Sequence, residues 1–597
     1  MRKREVLLFI MIGTVLLSGC STKTNQNAQQ DTESTAAASN SVMQIDTSDM
    51  FSDRDKEVGY EESESVEVSL ADDGSSCESD AVSITGNTVT IKDEGTYVLS
   101  GTLSDGMVIV DAEDTDKIQL VLKDVSISNT QSAALYVRAA DKVFVTTASG
   151  TENTLENCGT YTAIDENNID AAVFSKSDLT FNGEGALTIA AQEGHGMVSK
   201  DDLALTSGTY VITSASHGIS GKDSVRIANG SYTITSGKDG IHAENTDDES
   251  LGFVYLAGGT FHITSSQEGI SANAWLLAED GAYTIDAEED ALHSNENLAV
   301  SGGTYTMSTG DDGIHADSNV TISGGKIDIT QSYEGLEGLS IDITDGEITV
   351  LASDDGLNAA GGNDNSGLEG PGAGGDQFTA TEGAYIHIAG GKLLVDASGD
   401  GIDSNGDLTV SGGETYVSGP VNSGNGTLDY SGSAVVTGGS FAASGASGME
   451  QNFDSSSTQG VMMVNVEEQE AGTAIALLDG NGNELLSWTA EKAYSSVIIS
   501  CPEITEGGTY TVKAGETEQS ITMDSLVYGS GSRAGGNPGD GGGRGGRDRG
   551  NGDDGGMPRE PGGQAPGNME KPQENTPPDV PSDNGAENGS VEGAGSL

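Results

Sequence analysis

Ten short segments of this 597-residue chain share one pattern: a small residue, an aliphatic one, any residue, and a second small one. It first reads Ala172-Val173-Phe174-Ser175 and returns as Gly196-Met197-Val198-Ser199 and Gly218-Ile219-Ser220-Gly221. It continues through Gly240-Ile241-His242-Ala243, Gly269-Ile270-Ser271-Ala272, Ala291-Leu292-His293-Ser294 and Gly313-Ile314-His315-Ala316. Gly335-Leu336-Glu337-Gly338, Gly356-Leu357-Asn358-Ala359 and Gly401-Ile402-Asp403-Ser404 complete the series. Successive aliphatic positions lie 24, 22, 22, 29, 22, 22, 22, 21 and 45 residues apart. The 29 contains an acidic insertion near Asn245 to Ser250, and the 45 a Gly-rich loop from Ala360 to Gln377. A fixed period of this kind marks stacked structural units, none of which buries its apolar face alone.

Within each unit the pattern is that of strands. Val320-Thr321-Ile322 is followed by Ser323-Gly324-Gly325, then Lys326-Ile327-Asp328-Ile329-Thr330, then a turn before the next motif. Three short β-branched runs per unit, with Gly at the corners, predict three strands per coil. The expected fold is all-β: a parallel β-helix of about 22 residues per coil over residues 66–450. Val82 to Leu155 fits the scheme less strictly and is assigned to N-terminal coils. From Gln459 to Met523 the strand spacing changes, and Asp479-Gly480-Asn481-Gly482 is a hairpin turn. Residues 451–528 are therefore expected to be a small antiparallel β module capping the solenoid.

The termini set the expected location. Arg2, Lys3 and Arg4 precede an apolar stretch from Val6 to Leu17, too short to span a bilayer and suited to a secretory signal. Leu17-Ser18-Gly19-Cys20 follows and is similar to a bacterial lipobox, so Cys20 is the expected lipidation site and residues 1–20 the signal peptide. The mature chain is then expected on the extracellular face of the membrane, lipid-anchored and monomeric. Residues 21–65 read as a disordered tether, and 529–597 as a disordered Gly/Pro-rich tail holding 8 of the 11 prolines. The Arg-Gly run from Gly542 to Arg547 resembles a nucleic-acid-binding segment, but 26 basic against 94 acidic residues exclude nucleic acid as a partner. Cys77, Cys158 and Cys501 make neither a disulfide framework nor a zinc site.

The acids fall in register. The residue before the small one is Asp239, Glu268, Asp290, Asp312, Glu334, Asp355 and Asp400 in successive coils. Stacked carboxylates ~4.8 Å apart at an effective dielectric near 20 repel by roughly 3.5 kcal/mol per pair. Either solvent screens them at exposed corners, or a hard cation neutralises them. Calcium is the expected ion, with these seven acids as its ligands. One position past the aliphatic runs a second row, His242, Ser271, His293, His315, Glu337, Asn358 and Asp403, which alternation directs outward. Its imidazoles serve either as hydrogen-bond partners of the acids or as ligands of a transition metal. A third row begins Lys176, Lys200, Lys222 and continues with Glu244, Asn273, Asn295, Asp317 and Asn405. The Asn residues are expected at corners in left-handed conformation, bonded to one another. The Lys residues either grip uronate carboxylates or offset acids such as Asp201 and Asp223. Candidate substrate-binding residues are thus Lys176, Lys200, Lys222, His242, His293 and His315. Tyr232, Phe261, Tyr283 and Tyr305 recur after the Gly-Gly corner and are assigned to the core or to an aromatic stack.

Tyr97-Val98-Leu99-Ser100-Gly101, Ala139-Ala140-Asp141-Lys142-Val143, Gly150-Thr151-Glu152-Asn153-Thr154-Leu155 and the Asp-Gly-Ile-x-Ala repeats carry a resemblance. Over residues 80 to 525 the chain resembles bacterial carbohydrate-binding-domain lipoproteins related in fold to polysaccharide lyases. The resemblance implies a right-handed parallel β-helix that binds calcium and acidic or plant-cell-wall polysaccharide such as polygalacturonate, without established catalysis. A protein this acidic repels an anionic glycan unless divalent cations bridge the two. The alternatives are a calcium-dependent polysaccharide lyase, with Lys176, Lys200, Lys222 or Lys238 as base, and a structural stalk or adhesin stapled by calcium.

Overall fold

The computed structural model describes residues 45–360 and 380–530. Cys20 and the signal segment, most of the tether, the Gly-rich loop and the tail beyond 530 lie outside the described residues. Apart from two 3-10 turns, Asp53–Lys56 and Glu62–Glu64, the regular elements among the described residues are strands. Most belong to one large, mainly parallel sheet.

That sheet wraps into three parallel faces. On the first, Ile219, Ile241, Ile270, Leu292, Ile314, Leu336, Leu357 and Ile402 pair in unbroken succession. On the second, Val225, Val254, Leu276, Leu298, Val320, Ile341, Ile386 and Leu408 do the same. On the third, Ile212, Ile234, Ile263, Ile285, Met307, Ile329, Val350, Val395 and Val417 continue the ladder. All are buried in one apolar cluster, so each coil completes its neighbour's core.

The small residue of the repeat is dictated by the third face. A Cβ at Gly313 would stand 2.5 Å from Ile329 Cδ1 and 2.7 Å from the Gly335 carbonyl oxygen of the next coil. At Gly240 the same Cβ would stand 2.4 Å from Ile263 Cγ2. The turn therefore enters the first face pressed against the third-face aliphatic, and only a minimal residue fits. The opposite corner uses glycine differently: Gly303 and Gly325 both take φ +92°, a left-handed backbone that L side chains rarely adopt.

Behind those corners the aromatic row forms a buried stack. Tyr210, Tyr232, Phe261, Tyr283 and Tyr305 follow one another at centroid separations of 5.2, 4.8, 4.7 and 4.5 Å with rings nearly parallel. The hydroxyls of Tyr232 and Tyr283 donate to the carbonyls of Asn229 and Asp280, so the polar tips are satisfied inside the stack.

The last described coil is followed by antiparallel pairing. Strand Ser440–Gly445 pairs antiparallel with Tyr494–Ser500, which also pairs with Val461–Gln469. A separate four-stranded antiparallel sheet, Glu484–Thr489, Ala474–Leu478, Thr509–Ala514 and Thr517–Thr522, shares a second apolar cluster with Ala442, Met462, Val464, Val497 and Ile499 of those strands. The pairing covers an edge that would otherwise offer unsatisfied backbone groups.

Two expectations need correction. Residues 45–65, assigned to the tether, lie along the second face. Buried Asp55 there meets Lys142 Nζ at 2.7 Å and accepts from Thr180 Oγ1 at 2.7 Å. Arg226 donates to the Met50 carbonyl and Thr47 to Glu279, extending the strap over several coils. Its polar composition concealed this, because it is held by hydrogen bonds and an ion pair to outward side chains rather than by an apolar face. The row of Asn residues is not left-handed: among the described residues only Asp124 combines a side chain with positive φ. Asn295 instead accepts from His293, and Asn405 donates to the Ala360 carbonyl.

Candidate functional site

The corner between third and first faces carries the acid ladder. Four of its carboxylates reach the backbone of the following coil. Asp290 Oδ1 accepts the Asp312 N–H at 2.8 Å, Asp312 Oδ1 that of Glu334 at 3.1 Å, and Asp355 Oδ1 that of Asp400 at 2.5 Å. Asp400 closes the series on the Gly426 N–H. The acids are not exposed corners screened by solvent. Asp239, Asp290, Asp312 and Glu334 are buried, and Glu268, Asp355 and Asp400 are half-buried. The second row points away from the apolar core, yet Ser271, His315, Glu337 and Asn358 are buried as well.

What faces the carboxylates changes along the stack. In the earlier coils it is imidazole. His242 Nδ1 lies 2.6 Å and His217 Nδ1 3.3 Å from Asp239 Oδ2. His293 Nδ1 and His315 Nδ1 both contact Asp290 Oδ2, at 2.9 and 3.1 Å. Burial alone would raise both carboxyls, but the imidazoles hold Asp239 and Asp290 well below the usual carboxylate range. Burial would lower His293, and its contact with Asp290 outweighs this and lifts it to about 9. His315 is raised for the same reason.

In the later coils the partners are oxygen. Asp355, Asp400 and Asp403 each place a carboxylate oxygen within 4.8 Å of the others. Asn358 pairs in register with Asp403; its Nδ2 donates to Glu334 Oε2 at 2.6 Å, and its buried Oδ1 has no hydrogen-bond partner. Burial, then repulsion from Asp400 and Asp429, pushes Asp403 up to about 8. Burial raises Asp400 to about 7, against the opposing Gly426 N–H. Burial followed by Asp400 and Glu334 places Asp355 well above its ordinary value. The charges that raise Asp355 and Asp403 are other carboxylates. Such a cluster can hold either protons or a cation.

The Lys row lies beyond the first face. Lys176 and Lys200 are exposed, with Lys200 Nζ 5.5 Å from the centre of the Phe174 ring. Lys222 pairs with Asp247 at 2.6 Å, and the nearby carboxylates of Asp223 and Asp201 further favour its charged form. His217 was missed by sequence inspection. It occupies the ladder position before Gly218, as His195 does before Gly196, so the offset marked it although the residue type had changed. Their rings stack at 5.0 Å, and His217 stacks on His242 at 4.2 Å.

Comparison with known proteins bears on this strip. Residues 85–335 match the carbohydrate-binding domain-containing protein family. The family span contains the ladder from Asp239 to Glu334. A carbohydrate-binding domain-containing protein from Acetivibrio thermocellus is 35% identical over 135 residues, which are 22% of this chain and 47% of that protein. The chain thus matches about half the length of this curated relative. A solved polysaccharide lyase-like protein from C. thermocellum, in a gadolinium derivative, aligns at 28% identity and a TM-score of 0.36, covering 43% of this chain and 96% of that one.

Proposed function

We propose that this chain binds acidic polysaccharide, pectin-like or of the plant cell wall, through calcium held by the stacked carboxylates. The three-faced stack is taken as a right-handed β-helix of about 22 residues per coil, capped by the antiparallel module and tethered to the outer face of the membrane through Cys20. The family match over residues 85–335 supports the carbohydrate part.

One observation carries the calcium part: Asp355, Asp400 and Asp403 bring carboxylate oxygens within 4.8 Å of one another, and burial and neighbouring carboxylates raise all three. Three carboxylates, with Glu334 and the unpartnered Asn358 Oδ1 close by in the stack, form an all-oxygen donor set suited to a hard divalent ion. Calcium keeps these groups ionised and leaves part of its coordination sphere for a uronate carboxylate. That resolves the repulsion between an anionic glycan and a chain of formal net charge −68.

Affinity electrophoresis of the full chain in gels containing polygalacturonate or a neutral glucan tests the reading. Retardation by polygalacturonate with calcium, abolished by chelator, is expected. Equal mobility in all gels removes polysaccharide binding, while retardation indifferent to chelator removes calcium from it. An ultraviolet-absorbing product released from the glycan would make the protein a lyase instead.

A further inference from the structure

The imidazole end of the ladder holds a cluster whose chemistry differs from the oxygen-only end. His315 is fully buried, with Nδ1 3.1 Å from Asp290 Oδ2 and Nε2 without a hydrogen-bond partner. Nε2 lies 3.8 Å from Glu337 Oε2 and 3.7 Å from Asp317 Oδ1, too far for hydrogen bonds. Glu337 is 2% exposed, and its Oε2 is also without a partner. Asp312, 1% exposed, completes a triad whose ligand atoms lie within 4.8 Å of one another. Two unpartnered atoms on two buried side chains thus converge on one point. An ion with bonds of ~2.1 Å sets its ligands roughly 3.4 Å apart, near the observed spacing.

Asp290 settles which nitrogen is available. A carboxylate accepting from Nδ1–H holds the proton there and leaves the Nε2 lone pair toward the triad, the arrangement that orients metal-bound histidines. His293 differs, since both its nitrogens are engaged, at 2.9 Å by Asp290 and 2.9 Å by Asn295. Imidazole nitrogen with two carboxylates suits zinc-class ions rather than calcium, which takes oxygen ligands.

We propose that Asp312, His315 and Glu337 form a second metal site, for a divalent transition ion of the zinc and cobalt class, with Asp290 as the positioning carboxylate. The ion pins successive coils together at the centre of the stack. This takes Asp312 out of the calcium set and stands whether or not the glycan reading holds.

The test uses the full chain, stripped by chelator and titrated with cobalt(II) in millimolar calcium. One equivalent is expected to bind with visible ligand-field bands that calcium does not erase. His293→Gln should keep those bands and His315→Gln lose them, while Asp290→Asn weakens binding on the order of 10- to 100-fold. Circular dichroism shows whether each variant is folded. Should His315→Gln not fold, X-ray absorption of the cobalt-loaded wild type decides: an imidazole in the first shell supports the site, and an oxygen-only shell overturns it. Displacement by calcium, or His315→Gln binding cobalt like wild type, also overturns the proposal, leaving a site that shares protons only.

Discussion

Raising the pH of the chelator-treated protein is expected to destabilise it, opposite to the usual behaviour of carboxylates stabilised by folding. Asp400 and Asp403 are lifted to about 7 and about 8. An unfolded Asp titrates near 3.9. The native state therefore binds more protons. The stability these groups contribute is complete below about pH 4 and lost as pH rises through about 7 to 8. For Asp403 the gap is close to four tenfold steps at about 1.4 kcal/mol each, an upper bound of roughly 6 kcal/mol before solvent screening of a half-buried group. At ~2 °C per kcal/mol, the melting temperature should fall by up to roughly 10 °C between about pH 5 and pH 9. His293, raised by Asp290 to about 9, adds to the same slope at its alkaline end. Asp403→Asn mimics the protonated acid and should flatten the acidic part alone. Calcium at about 100 times its dissociation constant should restore about 2.7 kcal/mol, and more effectively at alkaline pH, where protons do not compete. Thermal melts by circular dichroism at several pH values, in chelator and in calcium, measure this. A melting temperature that rises with pH in chelator, or falls as steeply in Asp403→Asn, would refute the reasoning.

Two further substitutions probe the scaffold. Gly313→Ala drives a methyl against Ile329 and the Gly335 carbonyl, and should cost about 1–3 kcal/mol in a denaturant melt. Asp55→Ala strips Lys142 of its buried partner, and should cost about 3–5 kcal/mol and make residues 45–65 the first site of limited proteolysis.

The sequence made the stack legible because a 22-residue spacing of aliphatics leaves few alternatives, and Ile219, Ile241 and Ile314 pair where that spacing puts them. It showed that Gly precedes the aliphatic but not why, since the approach of Ile329 to Gly313 joins different parts of a coil. The acid ladder was visible as a register, whereas its burial was not, because alternation tells only which side of a strand faces the core. The bonds from Asp290, Asp312, Asp355 and Asp400 to the next coil's N–H were equally hidden, for they depend on the path of a turn. His217 was not evident because an imidazole stands there at an offset that later coils fill with acids. The strap through Asp55 escaped because one ion pair with Lys142 leaves no periodic trace.

The most direct test of the central claim is retention of the full chain on immobilised polygalacturonate, wild type beside Asp355→Asn and Asp403→Asn, across a calcium titration. The account predicts calcium-dependent retention of the wild type, with both variants needing more calcium to reach it. Variants retained at the same calcium concentration as wild type would contradict it.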